Sequence, residues 1–475
     1  MNKNRTMKRS KRAKPSNNEN GVDFISNMPD PILQLILQGL PTTEEVVRTS
    51  VLSKRWRYLW TSIPHFPFID LDVSRGPKNP NKLALQKKKF KEFVSWVLEN
   101  QTIDLDNFRL SSYNHYMQST ILRWVDAAVM RKVKRLDLTF FTRGLYEDII
   151  MPHCHSLESL RLFLYTRSHL EFPDGMCFPA LRFLELNNVV IAKLDLVERF
   201  SEICPLLEEL CLIDCFITNR RVGDTLSISC PKLKTLRIHK QRKRVCGWGI
   251  YYFGLKVSCP ELVFFECVGL AVQNHFILEN VDSLKKAVIL PHCILQNKVS
   301  SELGDTICEL LAGIAHVESL SLNHFIIRCM DAARDPIRDF PTSLPNLKKL
   351  EITTTIDAFT LNVIIRIIKC SPILESLHLN IQEESSKPEY WGLHEVETRE
   401  ILTRHLKRVE FLEFDGEKHK LVARWLLEYA NSLEEMVFSW RNEVKYHEKS
   451  TETINQVSKV YKASSTVKLI TLLKH

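Results

Sequence analysis

The sequence predicts an α/β fold in which a short module of three helices precedes an irregular solenoid of strand-plus-helix repeats. Three observations predict it. The string L-x-x-L-x-L recurs from about residue 103 onward, helical periods fall between its copies, and residues 23–68 hold three successive sets of helix start and stop signals. A chain of 475 residues, 44% of them hydrophobic, is long enough for two to four ordinary domains or one extended array and too apolar to be wholly disordered.

The clearest copies of the string begin at Val133, Leu157, Leu181, Leu207, Leu233, Val317, Leu347 and Leu374, with weaker ones at Leu105, Leu262, Leu284, Leu406 and Leu433. Their mean spacing of about 27 residues falls in the range of leucine-rich repeats. A short strand that points alternate side chains inward accounts for the L-x-L pair, and the leucine three residues earlier packs in the same layer. No copy buries that face alone, so the copies must stack. Prolines in the CPLL, CPKL and CPEL runs, at Cys204, Cys230 and Cys259, stand just before the strands, where a missing N–H is tolerated. Between strands, Leu303, Ile307, Leu310, Leu311 and Ile314 share one helical face, as do Leu361, Ile364, Ile365 and Ile368. Irregular spacing between copies predicts uneven curvature and loops of variable length.

Upstream, Asp30 and Pro31 suit the N-cap and first position of a helix that Gly39 stops. Thr42 with Glu45 has capping-box spacing for a second helix through Val46, Val47 and Val51. Ser53 suits the cap of a third, in which Leu52, Trp56, Leu59 and Trp60 share a face. Three helices in about 45 residues cannot enclose a core of their own, so their surplus apolar surface implies docking, onto a partner or onto the rest of the chain.

MPDPILQLILQGLP followed by VVRTSVLSKRWRYLW resembles the F-box, especially as it occurs in plant proteins; the nine positions Leu52 to Trp60 all agree, while Met28 replaces a usual leucine. The resemblance implies binding to a Skp-type adaptor, and through it to a cullin and RING subunit, in an SCF ubiquitin ligase. Carried over residue by residue, the implied contact set is Met28, Pro29, Ile32, Leu33, Ile36, Leu40, Pro41, Val46, Val51, Leu52, Trp56, Leu59 and Trp60.

Between module and array, Phe90, Phe93, Val94, Val97 and Leu98 mark one amphipathic helix, and Ile121, Trp124, Val125, Ala128 and Val129 mark another; both are expected to cap the solenoid. Residues 74–82, SRGPKNPNK, suit a linker. Near the C-terminus, Tyr390-Trp391, His405-Leu406-Lys407, Gly416 and residues 426–436 resemble the FBD region that follows leucine-rich repeats in plant F-box proteins, although the Pro and Cys common there are absent. There the residues predict a further strand, a helix with Leu421, Val422, Trp425, Leu426 and Tyr429, and a closing strand. The expected organisation is a basic tail over 1–21, the F-box over 22–68, linker and capping helices over 69–130, repeats over 131–386 and the FBD-like region over 387–475.

The formal net charge is +9, but residues 1–18 hold seven Lys and Arg and no acid, which leaves +2 for the rest. That tail reads equally as a nuclear-import signal or a solvating segment, and localisation is expected in nucleus, cytoplasm or both. No apolar run is long enough to span a membrane and no signal-peptide core follows the basic start. Thirteen scattered cysteines, none in a CxxC pair, read as buried thiols rather than ligands or a disulfide framework.

Nucleotide, zinc-protease, nucleophile-elbow and EF-hand signatures are all missing from the sequence, so neither catalysis, cofactor nor metal is expected. The centre of each L-x-L should face the concave surface. There Asp137, Arg161, Glu185, Cys211, Arg237, Glu266, Val288, Ser321, Glu351 and His378 mix four acids with two fixed cations, which disfavours uniform attraction of nucleic acid. Lys240, Arg242, Lys243 and Arg244, with Trp248, Tyr251 and Tyr252, form a local basic loop suited to an anionic ligand or simply to solvent. The expected function is a substrate-recognition adaptor whose repeats bind an unknown target protein. The alternative is a repeat scaffold without a ubiquitin role.

Overall fold

The computed structural model describes residues 25, 27–69, 80–141, 148–150, 153–172, 175–191, 195–217, 225–240, 253–292, 299–333, 343–382, 405–414, 417–440, 442–459 and 464–473. The chain divides into two compact units. The first comprises the described residues up to Ile63 together with Gln101–Ile103, and the second comprises Pro64–Asn100 and the chain from Asp104 onward.

The first unit holds helices α1 (Asp30–Gln38), α2 (Thr43–Arg48) and α3 (Trp56–Leu59), with single 3-10 turns at Thr49–Val51 and Trp60–Ser62. Thr42 caps α2 by accepting the Glu45 N–H, as the sequence predicts; Ser53 accepts the Trp56 N–H at 3.4 Å, but the N-cap position of α3 falls to Arg55 rather than to Ser53. Asp30 is not an N-cap either. The N-cap of α1 is Pro29, and the Asp30 carboxylate instead takes Arg55 Nε at 2.8 Å; the Arg55 guanidinium also donates to the Met28 carbonyl oxygen. This charged clamp, from the residue just before α3, ties the start of α1 to the third helical segment without capping its N–H groups. Leu33, Leu37, Val46, Trp56, Leu59, Trp60 and Ile63 are the buried apolar side chains. Leu52 does not join their face, because α3 starts only at Trp56 and Leu52 falls in the preceding turn.

The second unit contains β1 (His65–Ile69), α4 (Pro80–Asn100), β2 (Asn107–His115), α5 (Gln118–Val129), β3 (Arg135–Phe141), β4 (Asp148–Ile150), β5 (Ser159–Glu171) and β6 (Phe183–Ile191). It continues with α6 (Asp195–Glu198), α7 (Phe200–Ile203), β7 (Glu209–Ile213), β8 (Phe216–Ile217), β9 (Thr225–Ile228), β10 (Thr235–His239), β11 (Phe253–Ser258), β12 (Phe264–Glu279) and β13 (Lys286–His292). The rest is α8 (Ser301–Gly313), β14 (Ser319–Asn323), α9 (His324–Ala332), β15 (Lys349–Thr354), α10 (Ala358–Lys369), β16 (Ser376–Ile381), β17 (Arg408–Leu412), α11 (Glu417–Tyr429), β18 (Glu435–Trp440), α12 (Glu443–Ser458) and β19 (Lys468–Leu473).

One parallel ladder runs β1-β2-β3-β5-β6-β7-β10-β12-β13-β14-β15-β16-β17-β18-β19. Every copy of the string, strong or weak, supplies a strand of it. Two strands go beyond those copies: β1 begins directly after the first unit, and β19 follows α12. Helices α4 and α5 therefore connect β1 to β2 and β2 to β3, rather than standing outside the sheet. Of the segment 74–82, residues 74–79 lie outside the described residues and Pro80 opens α4.

The string's leucines stack into the core: Leu160, Leu184, Leu210 and Leu236 are fully buried in one row, and Leu157, Leu181, Leu207 and Leu233 in the row before it. Each such side chain contributes roughly 1.5–3 kcal/mol of transfer free energy. The prolines of the CPLL, CPKL and CPEL runs sit second in tight turns, where Leu207, Leu233 and Leu262 donate back to the Cys204, Cys230 and Cys259 carbonyls at 3.0, 3.1 and 3.0 Å.

At the far end of the strands the chain bends off the ladder. Asn188, Asp214 and Gly269 occupy the same step of the register and all have positive φ, as does Glu413 one residue past β17. Beyond that bend β6 pairs with β8, and β12 pairs with β11, which pairs with β9. Strands thus take the place that helices occupy elsewhere in the array.

The strand starts carry a row of charge. Asp106, Lys134, Glu158, Arg182, Glu208 and Lys234 occupy the second position of successive copies and alternate in sign. Val263 interrupts the row, which resumes as Lys285, Glu318, Lys348, Glu375, Lys407 and Glu434. Lys134 meets Asp106 at 2.8 Å, Lys234 meets Glu208 at 2.8 Å and Lys348 meets Glu318 at 3.1 Å. Sliding one repeat past its neighbour would oppose like charges, so the row favours the observed order.

Candidate functional site

Among the described residues, two surfaces stand out beyond the cores. In the first unit α1 is apolar on both sides: Leu33 and Leu37 face inward, while Ile32, Leu35 and Ile36 are exposed. A helix that is hydrophobic all round belongs in an interior, so its outer side asks for a cover. Val51, 88% exposed, and Leu52, 64% exposed, are further uncovered apolar side chains of the same unit, as are the exposed prolines Pro29 and Pro41.

Of the thirteen positions in the implied contact set, the structure exposes Pro29, Ile32, Ile36, Pro41, Val51 and Leu52. It half-buries Met28 and Leu40, and buries Leu33, Val46, Trp56, Leu59 and Trp60. The buried group shapes the exposed one. Trp60 Nε1 donates to the Arg57 carbonyl at 3.1 Å, and Gln101 Nε2 donates to the Ile63 carbonyl at 3.0 Å, which holds the end of the module in place. Three exposed side chains that the motif did not single out, Ile25, Leu35 and Tyr58, belong to the same unit. The signal for Leu35 was present: in α1 every position from Ile32 to Leu37 is apolar except Gln34.

In the second unit the face of the ladder opposite the buried leucines carries the L-x-L centres. All ten centre residues named from the sequence fall in one continuous register row, flanked by Arg109 on one side and by Glu410 and Val437 on the other. In the first half cations and acids neutralise each other across strands. Arg109 meets Asp137 at 3.4 Å, Arg161 meets Glu185 at 3.5 Å, and Arg237 meets Glu266 at 3.4 Å. Val288 and Ser321 then interrupt, and the second half holds Glu351, His378 and Glu410.

Glu410 is almost fully buried and accepts the Ser439 hydroxyl at 2.9 Å; a cleft of about 270 Å³ opens beside it among Glu351, His378, Glu413 and Ser439. His378 Nε2 lies 2.9 Å from Ser376 Oγ, but its Nδ1 stands 3.7 Å from the Glu410 carboxylate, too far for a hydrogen bond.

Burial pushes the Cys204, Cys230 and Cys267 thiols up to about 12, which leaves them protonated and unreactive near neutral pH. Of the basic loop only Lys240 is described, its Nζ 3.5 Å from the Cys215 carbonyl; residues 241–252, and the basic tail, lie outside the described residues. Among the described residues no helix is long and apolar enough to cross a membrane.

A three-helix module with uncovered apolar side chains, followed by a parallel repeat ladder, is the architecture of an F-box protein with leucine-rich repeats. Comparison with known proteins agrees. The F-box domain matches residues 25–67, and the leucine-rich-repeat domain described as At1g61320/AtMIF1 matches residues 97–471. The chain belongs to this family of plant F-box proteins with a leucine-rich-repeat domain. It is 26% identical over 451 residues to the putative FBD-associated F-box protein At5g56560 of Arabidopsis thaliana, covering 92% of this chain and 97% of that one. It is also 27% identical over 466 residues to the putative F-box/FBD/LRR-repeat protein At3g49030 of the same plant, covering 94% and 95%. Over a shorter stretch of 191 residues, 40% of each chain, it is 37% identical to the putative F-box/FBD/LRR-repeat protein At2g05300.

Proposed function

We infer that this protein is the substrate-recognition subunit of an SCF-type cullin ubiquitin ligase. The observation that carries the reading is the set of apolar side chains that the module's own core leaves uncovered, on the outer side of α1 and at Val51 and Leu52. The proposed contact set for a Skp-type adaptor is the thirteen positions from Met28 to Trp60, with the exposed ones touching the adaptor and the buried ones holding them in place. The repeat ladder presents a target protein, and other subunits transfer ubiquitin. Holding target and charged ubiquitin donor together raises their effective concentration, so this chain needs no catalytic residue of its own.

The proposed site of action is the nucleus, the cytoplasm or both, with the seven cations of residues 1–18 as an import signal. Co-expression with a Skp-type adaptor tests the main reading: the two should co-elute as one complex. A folded chain that never co-elutes would leave only the scaffold without a ubiquitin role. Removing residues 1–18 should alter cellular distribution and leave co-elution intact.

A further inference from the structure

The open face of the ladder is not uniform, and its most distinctive stretch is aromatic. Tyr113 and His115 at the end of β2, Phe141 at the end of β3, and Phe163 and Tyr165 in β5 all lie on the side opposite the buried leucines. The Phe141 and Tyr165 rings stack with centroids 4.2 Å apart and planes 15° apart. Phe163 meets Tyr165 edge-on at 4.8 Å, Tyr113 lies 5.3 Å from Tyr165, and His115 lies 4.9 Å from Phe141. Tyr113 and His115 are exposed and the other three half-buried, so the five rings form one continuous patch that water reaches. Aromatic side chains with few rotatable bonds are the residue types that anchor protein interfaces.

The charges around the patch say what fits it. Arg109 is paired with Asp137 and Arg161 with Glu185, and the Arg161 guanidinium also lies over the Phe183 ring at 4.9 Å. A strongly charged segment would have to break these pairs to find a partner, whereas an uncharged apolar segment leaves them whole. In the far half of the same face Arg408 lies 3.4 Å from Glu410, so charge is paired there as well, and the exposed ring cluster rather than the charge balance sets the β2, β3 and β5 stretch apart. We propose that the aromatic patch on β2, β3 and β5 is the anchor point for the target, and that the target segment seated there is an uncharged stretch bearing aromatic or aliphatic side chains. This rests on the reading of the ladder as a target-binding surface.

The test uses the full chain co-purified with a Skp-type adaptor and panned with phage-displayed random linear peptides; enriched peptides are resynthesised with a fluorophore and titrated by anisotropy. Enriched sequences should be rich in Phe, Tyr, Trp and Leu and poor in charge. Their affinity should fall by at least about tenfold with Phe141→Ser/Tyr165→Ser, as expected for hot-spot residues, and should be unchanged with Ser321→Ala in the middle of the same face. Because Phe141 and Tyr165 are half-buried, Tyr113→Ser serves as a second variant, required to keep the parent's melting temperature and still weaken binding. Enrichment of uniformly charged peptides, no enrichment at all, or affinity indifferent to both variants overturns the proposal. So does a labelled oligothymidylate whose binding the variants abolish, since that would make the rings a base-stacking platform. Should the adaptor fail to co-purify, the ligase reading fails separately, and panning on the chain alone still decides the patch.

Discussion

Glu208 accepts a hydrogen bond from Lys234 at 2.8 Å while the same carboxylate takes Arg182 on its other side, so that one acid ties together the starts of β6, β7 and β10. The two bonds, with Lys234 first and Arg182 second, hold the Glu208 carboxyl below the ordinary glutamate value of 4.5. A carboxyl depressed in the folded state stabilises fully above its unfolded value, and that stabilisation is lost as pH falls through the lowered folded value. Glu208→Gln should therefore cost a modest amount near neutral pH, about 0.5 kcal/mol for a partly exposed network. The difference should vanish in acid and shrink in high salt. Urea midpoints of the two proteins against pH check this, and a gap that persists well below pH 4.5 would exclude the mechanism.

Gly269 lies at the bend where β12 leaves the main ladder, with φ of +70°. A Cβ there would stand 2.1 Å from the Lys240 carbonyl oxygen, a distance that no flexible side chain can relieve because the obstacle is backbone. Gly269→Ala should destabilise by about 2 kcal/mol or more. Gly175 has φ of +77° but open space around it, so Gly175→Ala carries only the left-handed backbone term of about 1 kcal/mol. Thermal melting of the two variants should rank them in that order; equal losses would mean that the contact with Lys240 is immaterial.

The thiols of Cys204 and Cys230 follow one another beneath consecutive tight turns, and burial is the largest cause of their raised values. Alkylation of the native protein near neutral pH should leave these two unmodified while the more accessible Cys177 reacts. In denaturant all three should label alike. Peptide mass spectrometry reads the outcome, and rapid native labelling of Cys204 would contradict the packing described here.

Most of the ladder was legible because its determinants are local. Each L-x-x-L-x-L string writes its own strand, and even weak copies such as the one at Leu284, which gives Ala287 and Ile289 in place of leucines, pack with the rest. Strand β1 was hidden because His65–Ile69 has prolines before and within it and no leucine in the motif positions. What decides its place is pairing with β2, a long-range fact. The alternating row from Asp106 to Glu434 was in plain view at the second position of each copy. It becomes meaningful only when successive copies are known to be spatial neighbours. In the helical module the motif named the right segments, but amphipathic spacing could not tell side chains that form the core from those that face outward. Leu52 and Trp56 are four apart and fit one helical face, yet a break in the helix between them exposes the first and buries the second.

That difference separates folding from docking. Trp56 is buried against the module's core, so Trp56→Ala opens a cavity and should destabilise by about 3–5 kcal/mol, taking any partner binding with it. Val51 and Leu52 touch little within the chain. Val51→Asp and Leu52→Asp should leave the melting temperature within the scatter of surface substitutions, roughly 0.5 kcal/mol. They should nonetheless weaken co-elution with a Skp-type adaptor by at least about tenfold if the exposed residues make the contact. Melting curves and adaptor titrations on the same preparations distinguish the two effects. Undiminished adaptor binding by both aspartate variants would move the docking surface away from this edge of the module, toward the outer side of α1 alone.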